Sequence, residues 1–227
     1  DLVFTGGRSL HRSVQDVRPS GAHCFPSGVE PEHYETAIAL RRRRSPGGRP
    51  VAGYIGVIDE RMDLDLLADL ATELDDWEIR MVGPVVKIEP SDLPRRGNIT
   101  YTGARHYAEL PTVLAGFDVA LMPFAVDDAT RAISPTKTLE YLAAGLPVVS
   151  TPVPDVVADY AAVVAIAPDA AGFAAACRHT LGESAASRSE RVWPMLHAQR
   201  WDVIADKMRV LMDGAGREPA DAVEESA

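Results

Sequence analysis

One short segment, residues 131–145, carries the residue types best suited to holding a phosphorylated ligand. Ser134 is a preferred helix N-cap, Pro135 suits the first helical position and Gly145 is a typical stop, so we expect a helix between them. Lys137 then falls in the first turn, where the helix dipole disfavours a positive charge. An anion bound at the same end of the helix would make the positive charge of Lys137 favourable there.

Several side chains near Lys137 can complete a site for a phosphate or diphosphate. The free N–H groups at the helix start and the hydroxyls of Ser134 and Thr136 can bind its oxygens, while Lys137 and Arg131 supply positive charge. Glu140 lies one turn further on the same face, where it can accept hydrogen bonds from vicinal hydroxyls such as those of a ribose. A surface ion pair between Lys137 and Glu140, with Arg131 solvated, fits the same residues, and the sequence leaves both interpretations open.

A second candidate loop runs from Gly56 to Asp63. Gly56 allows a ligand to approach the backbone, Asp63 can cap the helix that follows, and Arg61 can reach a phosphate. Arg61 can equally form an ion pair with Asp59 or Asp63. Asp59 and Glu60 are adjacent, and neighbours in sequence seldom face one another, so we do not expect them to act as paired acid and base.

A third region combines Gly83 with the segment Gly103, Arg105, His106 and Tyr107. Glycines that close strands at a ligand-binding edge suit a planar base held by backbone groups, with Tyr107 or His106 beside it. Alternatively, Tyr107 packs against the protein and His106 is simply exposed to solvent, with neither residue binding a ligand.

The elements that position these loops are short β-branched apolar runs alternating with helical patterns, which is typical of βαβ units. The predicted strands are Val51–Val57, Trp77–Val82, Ile99–Thr102, Val119–Met122, Pro147–Ser150 and Ala162–Ile166. The predicted helices lie around Leu64–Leu74, Tyr107–Ala115, Pro135–Ala144, Val153–Asp159 and Ala170–Leu181. We therefore expect an α/β fold with a Rossmann-like doubly wound parallel sheet, whose ligands bind at the carboxyl ends of the strands.

A smaller βαβα pattern precedes this sheet and is too short to hold a core alone. Its predicted elements are strands Leu2–Thr5 and Ala22–Phe25 and helices near Ser9–Val17 and Pro31–Leu40. Because this pattern begins almost at Asp1, we expect the chain to be a fragment, with residues 1–40 the end of a truncated second α/β domain.

The remaining boundaries follow from composition. Residues 41–50, which include the run Arg41–Arg44, are predicted to be an exposed linker, with a patch for anionic lipid or nucleic acid as the alternative. The large domain is expected over 51–186, amphipathic C-terminal helices with Trp193 and Trp201 over 187–213, and a disordered tail over 214–227.

Composition excludes several classes of protein. Lys and Arg total 23 against 33 Asp and Glu, a net charge of −10, so nucleic acid is not an expected partner. Cys24 and Cys177 cannot form a disulfide framework and show no metal-ligand spacing with the histidines, so no metal site is expected. The longest apolar run, Ala161–Ala167, is too short to span a membrane. A soluble protein of a reduced, cytoplasmic compartment fits best.

The segment from Ser134 to Val149, reading SPTKTLEYLAAGLPVV, resembles the donor-binding signature of the GT-B class of nucleotide-sugar glycosyltransferases, in the group 1, family 4-like branch with bacterial polysaccharide enzymes. Phe25–Val29 resembles the segment where the chain leaves the N-terminal domain of that family. Phe117–Pro123 resembles the strand that carries the donor loop. The similarity covers about residues 1–182.

The resemblance implies one GT-B domain plus the end of the other, with a nucleotide-diphosphate sugar as donor. Backbone and side chains over Ser134–Lys137 would hold the diphosphate, Glu140 the ribose, and Lys137 and Arg61 would stabilise the leaving group without a metal or other cofactor. UDP is the expected nucleotide from its frequency in the family. The implied partners are a glycan or lipid-linked acceptor and the missing N-terminal domain, at a cytoplasmic location that includes the inner membrane face.

Two positions depart from the family pattern. Ala132 replaces a glutamate that the retaining branch usually carries, which leaves the stereochemistry open, and Val57 stands where arginine is common. Two other functions also fit the sequence: a nucleotide-sugar 2-epimerase of the same fold, and a non-catalytic nucleotide-sugar-binding module.

Overall fold

The computed structural model describes residues 1–44 and 47–215 of the chain. The described residues form strands β1 (Val3–Thr5), β2 (Ala22–Cys24), β3 (Val51–Ile55), β4 (Glu78–Val82), β5 (Ile99–Tyr101), β6 (Val119–Met122), β7 (Val148–Ser150) and β8 (Ala165–Ile166). The helices are α1 (Arg8–Val17), α2 (Glu35–Arg42), α3 (Leu64–Glu73), α4 (Leu110–Ala115), α5 (Lys137–Ala143), α6 (Pro154–Tyr160), α7 (Ala170–Leu181), α8 (Ala185–Ala198) and α9 (Trp201–Ala215). Short 3-10 turns at Pro31–Tyr34 and Tyr107–Glu109 lead into α2 and α4.

The last six strands form one parallel sheet in the order β5-β4-β3-β6-β7-β8. In sequence terms this is the 3-2-1-4-5-6 order of a doubly wound fold, which confirms the predicted architecture. The order reverses between β3 and β6, so the loops that follow these two strands lie side by side. Strands β1 and β2 form a separate two-stranded parallel sheet.

The buried character of the central strands agrees with their sequence. Every residue of β6 is buried, and so are the first four of β3. Parallel strands covered by helices on both faces need such unbroken apolar runs. The strand predicted over Ala162–Ile166 is shorter in the structure and contains only Ala165 and Ile166. The N–H groups of Val163 and Val164 instead donate to Tyr160 O in a turn.

Helix α5 begins at Lys137, later than the start at Pro135 that the sequence predicts. The N–H of Thr138 donates to Pro135 O over 3.1 Å, so the chain enters the helix through a tight turn. Thr136 already has helical backbone angles and directly precedes the helix. The prediction of Ser134 as the N-cap is therefore wrong, although Lys137 does lie in the first turn.

Two other predicted helix ends are confirmed. The Asp63 carboxylate caps α3 by accepting a hydrogen bond from Leu66 N–H (2.8 Å). Helix α5 stops where Gly145 adopts a φ of 70° and Leu146 N–H donates to Tyr141 O (3.0 Å), the pattern of a Schellman C-cap.

The helix predicted over Pro31–Leu40 packs on the large sheet unit and not on the N-terminal piece. Helix α2 packs on α4, and Tyr34 and Ala37 belong to the same buried apolar cluster as the central strands. Helix α2 therefore packs against the large unit, and the boundary predicted at residue 40 stays a prediction. The other domain boundaries stay predictions as well.

The arginine-rich stretch 41–50 is mostly exposed, as expected, but its described part is tied to the large unit. Arg41 and Arg42 are the last residues of α2. Arg41 Nη1 donates to Gly145 O over 2.7 Å, and Arg49 Nη2 donates to Trp77 O over 2.9 Å. Long guanidinium side chains thus reach carbonyl groups of neighbouring turns, which a composition-based prediction of a linker does not foresee.

The C-terminal region forms two helices, α8 and α9. The N–H of Val29 donates to Gln199 O between them (2.9 Å), and the Trp201 ring lies against Gly28. Trp193 is half exposed and meets the His197 ring edge-on. Helix α9 extends through Ala215, past the predicted end at residue 213, and residues 216–227 of the predicted tail lie outside the described residues. No helix among the described residues combines the length and apolar character needed to cross a membrane.

Candidate functional site

The candidate site lies at the carboxyl edge of the sheet, where the loops after β3 and β6 meet. Hydrogen bonds join the two loops directly, from Asp63 N–H to Pro123 O and from Ala125 N–H to Arg61 O, each over 2.9 Å. On its other side, the β3 loop pairs with the loop after β4 through Ile58 N–H and Pro84 O (2.9 Å). The β3 loop is therefore held on both sides at the point where a doubly wound fold binds its ligands.

Two glycines allow the backbone to come this close at the edge. A Cβ on Gly83 would lie 1.8 Å from the Gly56 carbonyl oxygen, and a Cβ on Gly56 would lie 2.6 Å from Lys137 Cε. Both residues have positive φ values, 151° for Gly83 and 147° for Gly56, which favour glycine. Any larger residue would displace either the β3 loop or the lysine.

Lys137 extends from the start of α5 over Gly56. Its Nζ lies 5.5 Å from the centre of the Tyr54 ring and 5.7 Å from that of Phe124, within the range of cation–π contact. Burial lowers the pKa of the ammonium group, and the nearby carboxylate of Glu140 only partly opposes this shift. Lys137 makes no salt bridge with any residue that the structure describes. The surface ion pair that the sequence allows with Glu140 is thus not formed.

Glu140 lies one turn along α5 and is also partly buried. Burial raises the pKa of its carboxyl group, against the opposing charge of Lys137. The hydroxyl of Tyr34 is fully buried near this carboxyl, and in the described part of the chain no geometric hydrogen bond reaches it. The site thus contains a partly buried cation, a partly buried carboxyl group and a fully buried hydroxyl.

Arg61 adopts the ion-paired arrangement. Its Nε lies 3.0 Å from Asp59 Oδ1 and its Nη2 lies 2.5 Å from Asp59 Oδ2, while its Nη1 makes no hydrogen bond among residues 1–44 and 47–215. Burial would raise the pKa of the Asp59 carboxyl, but the hydrogen bonds and charge of Arg61 outweigh it and lower the pKa. Glu60 pairs separately with Lys87 over 2.8 Å. The adjacent carboxylates are not an acid–base pair, as expected.

Two of the predicted binding residues are exposed and contact groups other than Lys137. Arg131 forms a salt bridge with Asp128 over 2.6 Å, and its predicted contact with a bound phosphate stays a prediction. Within the same loop, the N–H groups of Ala129 and Thr130 donate to Asp127 Oδ1. Arg105 is also exposed, and its side chain reaches only the Ala104 carbonyl oxygen.

Ser134, Pro135 and Thr136 lead directly into α5 and reach the edge beside Lys137. Ser134 lies against the N-terminal piece: a Cβ on Gly7 would be 3.1 Å from Ser134 Cβ. The segment that leads into α5 is thus in contact with the N-terminal unit.

Gly103 and Tyr107 lie beyond β5. A Cβ on Gly103 would meet nothing within 4 Å, so open space remains there. Tyr107 stacks face to face on His33, with ring centres 4.0 Å apart, and His33 Nε2 lies 3.1 Å from Tyr107 O. His106 begins the turn into α4, where its N–H donates to Glu109 Oε2. Tyr107 therefore stacks on His33, the packing role that the sequence left open as an alternative, and remains half exposed.

Sequence reasoning missed the aromatic residues around the lysine. Tyr54 lies near the end of β3, Phe124 two residues after β6, and Tyr34 in the turn before α2. The two positions next to strand ends were recognisable in sequence, because the carboxyl ends of adjacent parallel strands converge. Tyr34 was not, since only the packing of α2 brings it to α5. No group of three or more histidine, cysteine, aspartate or glutamate residues in the described ranges is arranged to hold a metal ion.

Comparison with known proteins decides the family. Residues 49–183 match the family described as glycosyl transferases group 1, and this match includes Gly56, Lys137 and Glu140. It covers more than half of the chain. The chain belongs to this family.

Two curated proteins are similar to this group 1 glycosyltransferase chain. It is 30% identical over 162 residues to TuaH of Bacillus subtilis (strain 168), which is named as a teichuronic acid biosynthesis glycosyltransferase; the match spans 68% of this chain and 41% of TuaH. It is 28% identical over 132 residues to a GDP-mannose-dependent alpha-mannosyltransferase of Mycobacterium tuberculosis, spanning 56% of this chain and 33% of that protein. The chain thus covers less than half the length of these relatives.

Among solved structures, Anabaena Alr3699/HepE in complex with UDP and glucose superposes with a TM-score of 0.69. The sequence identity is 14%, and the superposition covers 96% of this chain and 63% of HepE. This likeness shows that the fold is shared.

Proposed function

We propose that this chain supplies the nucleotide-sugar site of a glycosyltransferase that moves a sugar from a nucleotide-diphosphate sugar to a glycan or polysaccharide-precursor acceptor. The observation that carries the proposal is Lys137, a largely buried ammonium group with no salt bridge in the described structure, facing Gly56 at the switch point of the sheet. A diphosphate in front of Lys137 would neutralise this charge. Family membership and the two nucleotide-sugar-related neighbours support the same ligand class.

In this proposal, the leaving diphosphate gains negative charge as the bond to the sugar breaks, and Lys137 stabilises that charge at the start of α5. Arg61 contributes through its Nη1, while Asp59 positions the guanidinium by holding Nε and Nη2. Gly56 and Gly83 let the phosphates approach the backbone.

Glu140 would accept hydrogen bonds from the ribose hydroxyls, and the open region at Gly103, next to Tyr107 and Arg105, would receive the base. No metal or other cofactor is needed for this scheme, because the cations of the chain itself face the leaving group. Of the similar proteins, one is named in complex with UDP and another as GDP-mannose-dependent. We propose UDP as the nucleotide of this site, and the test below includes both UDP and GDP.

The test is calorimetric titration of the 227-residue chain with UDP, GDP, ADP and TDP. Lys137→Ala should weaken binding of the preferred nucleotide by roughly 10- to 150-fold, the range of a charged hydrogen bond. Lys207→Ala is the matched control, because Lys207 is an exposed lysine on α9. Equal affinity of Lys137→Ala and Lys207→Ala, or no binding of any nucleotide by the unchanged chain, would contradict the proposal.

Transfer itself is tested with a longer form of the protein that includes an N-terminal domain. Sugar transfer to an acceptor, lowered by Lys137→Ala and not by Lys207→Ala, is the expected result. Tight nucleotide binding without transfer would favour the binding-module alternative, and conversion of the donor sugar without an acceptor would favour the epimerase.

A further inference from the structure

A large cavity lies at the amino edge of the sheet, opposite the edge that carries Lys137. Its volume is about 920 Å³, within the usual range for small-molecule sites. Pro50, Asp118 and Gly145 line it. Pro50 and Asp118 directly precede β3 and β6, and Gly145 lies in the turn between α5 and β7. Since the amino ends of parallel strands meet at one edge, the cavity is separated from the Lys137 site by the length of the strands.

The lining of this cavity is rich in arginine. Arg41, Arg42, Arg44 and Arg49 line it, against the carboxylates of Asp118 and Glu190. The chain as a whole carries a net charge of −10, so a local excess of cations runs against its composition. The arginine run that composition assigns to a linker therefore encloses a positively charged space.

Neutral groups hold most of these guanidinium groups in place. Arg41 donates to Gly145 O (2.7 Å), Arg49 to Trp77 O (2.9 Å), and Arg44 to the carbonyl oxygens of Ala115 and Phe117. Carbonyl oxygens fix the position of a guanidinium group but, being uncharged, do not neutralise its positive charge.

Only part of the positive charge is compensated by carboxylates. Arg44 forms a salt bridge with Asp118 over 3.2 Å. Arg42 is exposed, and its side chain makes no hydrogen bond or salt bridge with the residues that the structure describes. It is free to close on a ligand.

A further arginine lies behind the cavity. Arg188 on α8 is buried, and its Nε has no hydrogen-bond partner in the described structure, although its Nη1 lies 3.1 Å from Glu183. Burial, followed by the like charges of Arg188 and Arg44, lowers the pKa of Arg41 to about 10. The arginines thus repel one another across a space that an anion can fill.

We propose that this cavity binds a phosphate-bearing anion, a phosphomonoester or diphosphate group, at a site distinct from the proposed donor site. Guanidinium groups match phosphate geometry through paired hydrogen bonds, and four arginines lining one cavity suit a multiply charged group. A small phosphorylated molecule and the headgroup of an anionic phospholipid share this chemistry. The inference does not depend on the nucleotide proposal.

The test uses the full chain carrying Lys137→Ala, so that the Lys137 site contributes little to phosphate binding. Inorganic pyrophosphate is titrated into this chain and into forms that also carry Arg42→Glu or Arg96→Glu. Arg96 is an exposed arginine whose side chain has no partner among residues 1–44 and 47–215, and it lies outside the cavity, so it is the matched control. Thermal unfolding verifies that all three forms are folded. A second arm measures sedimentation with phosphatidylglycerol vesicles and with phosphatidylcholine vesicles.

We expect Arg42→Glu to weaken binding at least tenfold more than Arg96→Glu. A loss of pyrophosphate binding with no vesicle binding assigns the site to a small phosphorylated molecule. A parallel loss of binding to phosphatidylglycerol vesicles assigns it to a lipid headgroup. The proposal is overturned if neither probe binds, or if Arg42→Glu and Arg96→Glu behave alike with both probes.

Discussion

Lys137 is a residue whose proposed binding role would come at the expense of stability. Its ammonium group is surrounded by Tyr54, Phe124 and the backbone at Gly56, and its pKa is lowered by this burial. Aromatic faces offset only part of the lost hydration of a cation. In the ligand-free chain the charge therefore destabilises the fold, and a bound anion reverses the effect.

Replacing Lys137 with methionine keeps its length and removes the charge. We expect Lys137→Met to raise the stability of the ligand-free chain by about 0.5–2 kcal/mol, while nucleotide binding is lost. Because the folded-state pKa lies below the ordinary value of 10.5, the unfolded chain binds more protons between these two values, and the stability of the unchanged protein rises with pH there. The stability difference between the two proteins should therefore shrink as the pH rises through this window.

Urea unfolding of both proteins at neutral pH and above pH 10.5, the ordinary pKa of lysine, measures this difference. Lys207→Met serves as the control and should change stability by no more than about 0.5 kcal/mol. Equal stability of Lys137→Met and the unchanged chain would show that the buried charge is not destabilising.

At the scale of elements, one tyrosine joins the signature helix to the strand that ends at the site. Strand β3 pairs with β6 only over Ala52 and Gly53, so the strands separate before Ile55. The Ile55 N–H donates to the Tyr141 hydroxyl over 2.8 Å, and this hydroxyl donates to Ile55 O over 3.1 Å. Tyr141 on α5 thus satisfies backbone groups that the diverging strands leave unpaired, directly next to Gly56.

Removing this hydroxyl should leave both groups of Ile55 without partners in a buried place. We expect Tyr141→Phe to lower the free energy of unfolding by about 1–3 kcal/mol and to weaken nucleotide binding, because the β3 loop loses its attachment to α5. Chemical denaturation and calorimetry measure the two effects. Tyr101→Phe removes a hydroxyl that bonds to Pro94 O at a partly exposed position, and its effect should be smaller. A Tyr141→Phe effect no larger than that of Tyr101→Phe would contradict this role.

At the scale of the whole molecule, the N-terminal piece is attached to the large unit by a carboxylate at the start of α1. Asp155 on α6 is 1% exposed, and its Oδ1 accepts hydrogen bonds from Ser9 N–H (2.9 Å) and the Ser9 hydroxyl (2.6 Å). Arg8 and Asp159 form an ion pair beside it. A negative charge at a helix N-terminus is favourable, so this contact holds the two units together next to Ser134.

The attachment can be tested by Asp155→Ala. We expect faster amide hydrogen exchange over residues 3–24, since α1 loses its contact with α6, and little change within β3 and β6. Asp128→Ala, which removes only the surface partner of Arg131, is the control and should leave exchange over residues 3–24 unchanged. Uniform exchange changes across the whole chain would mean that Asp155 stabilises the large unit instead of the attachment.

The sequence determined those features that depend on residues close together in the chain. Periodicity fixed the alternation of strands and helices, and therefore the doubly wound sheet. The short-range cap at Asp63 and the stop at Gly145 were readable because helix ends are set by a few neighbouring residues. The same reasoning put Lys137 and Glu140 on one face of one helix, and the similarity of residues 134–149 to a donor signature identified the family that the comparison confirms.

Only the tertiary structure decided which of the alternative contacts form. Arg61 pairs with Asp59, and Arg131 pairs with Asp128, because the loop backbones place those carboxylates within reach. Residue types alone do not specify these pairs. The strand order brought Gly56 under Lys137, and the packing of α2 on α4 brought Tyr34 to α5 and turned an apparent linker into the lining of a cavity. These contacts join residues far apart in sequence or depend on loop geometry, and local propensity carries no information about either.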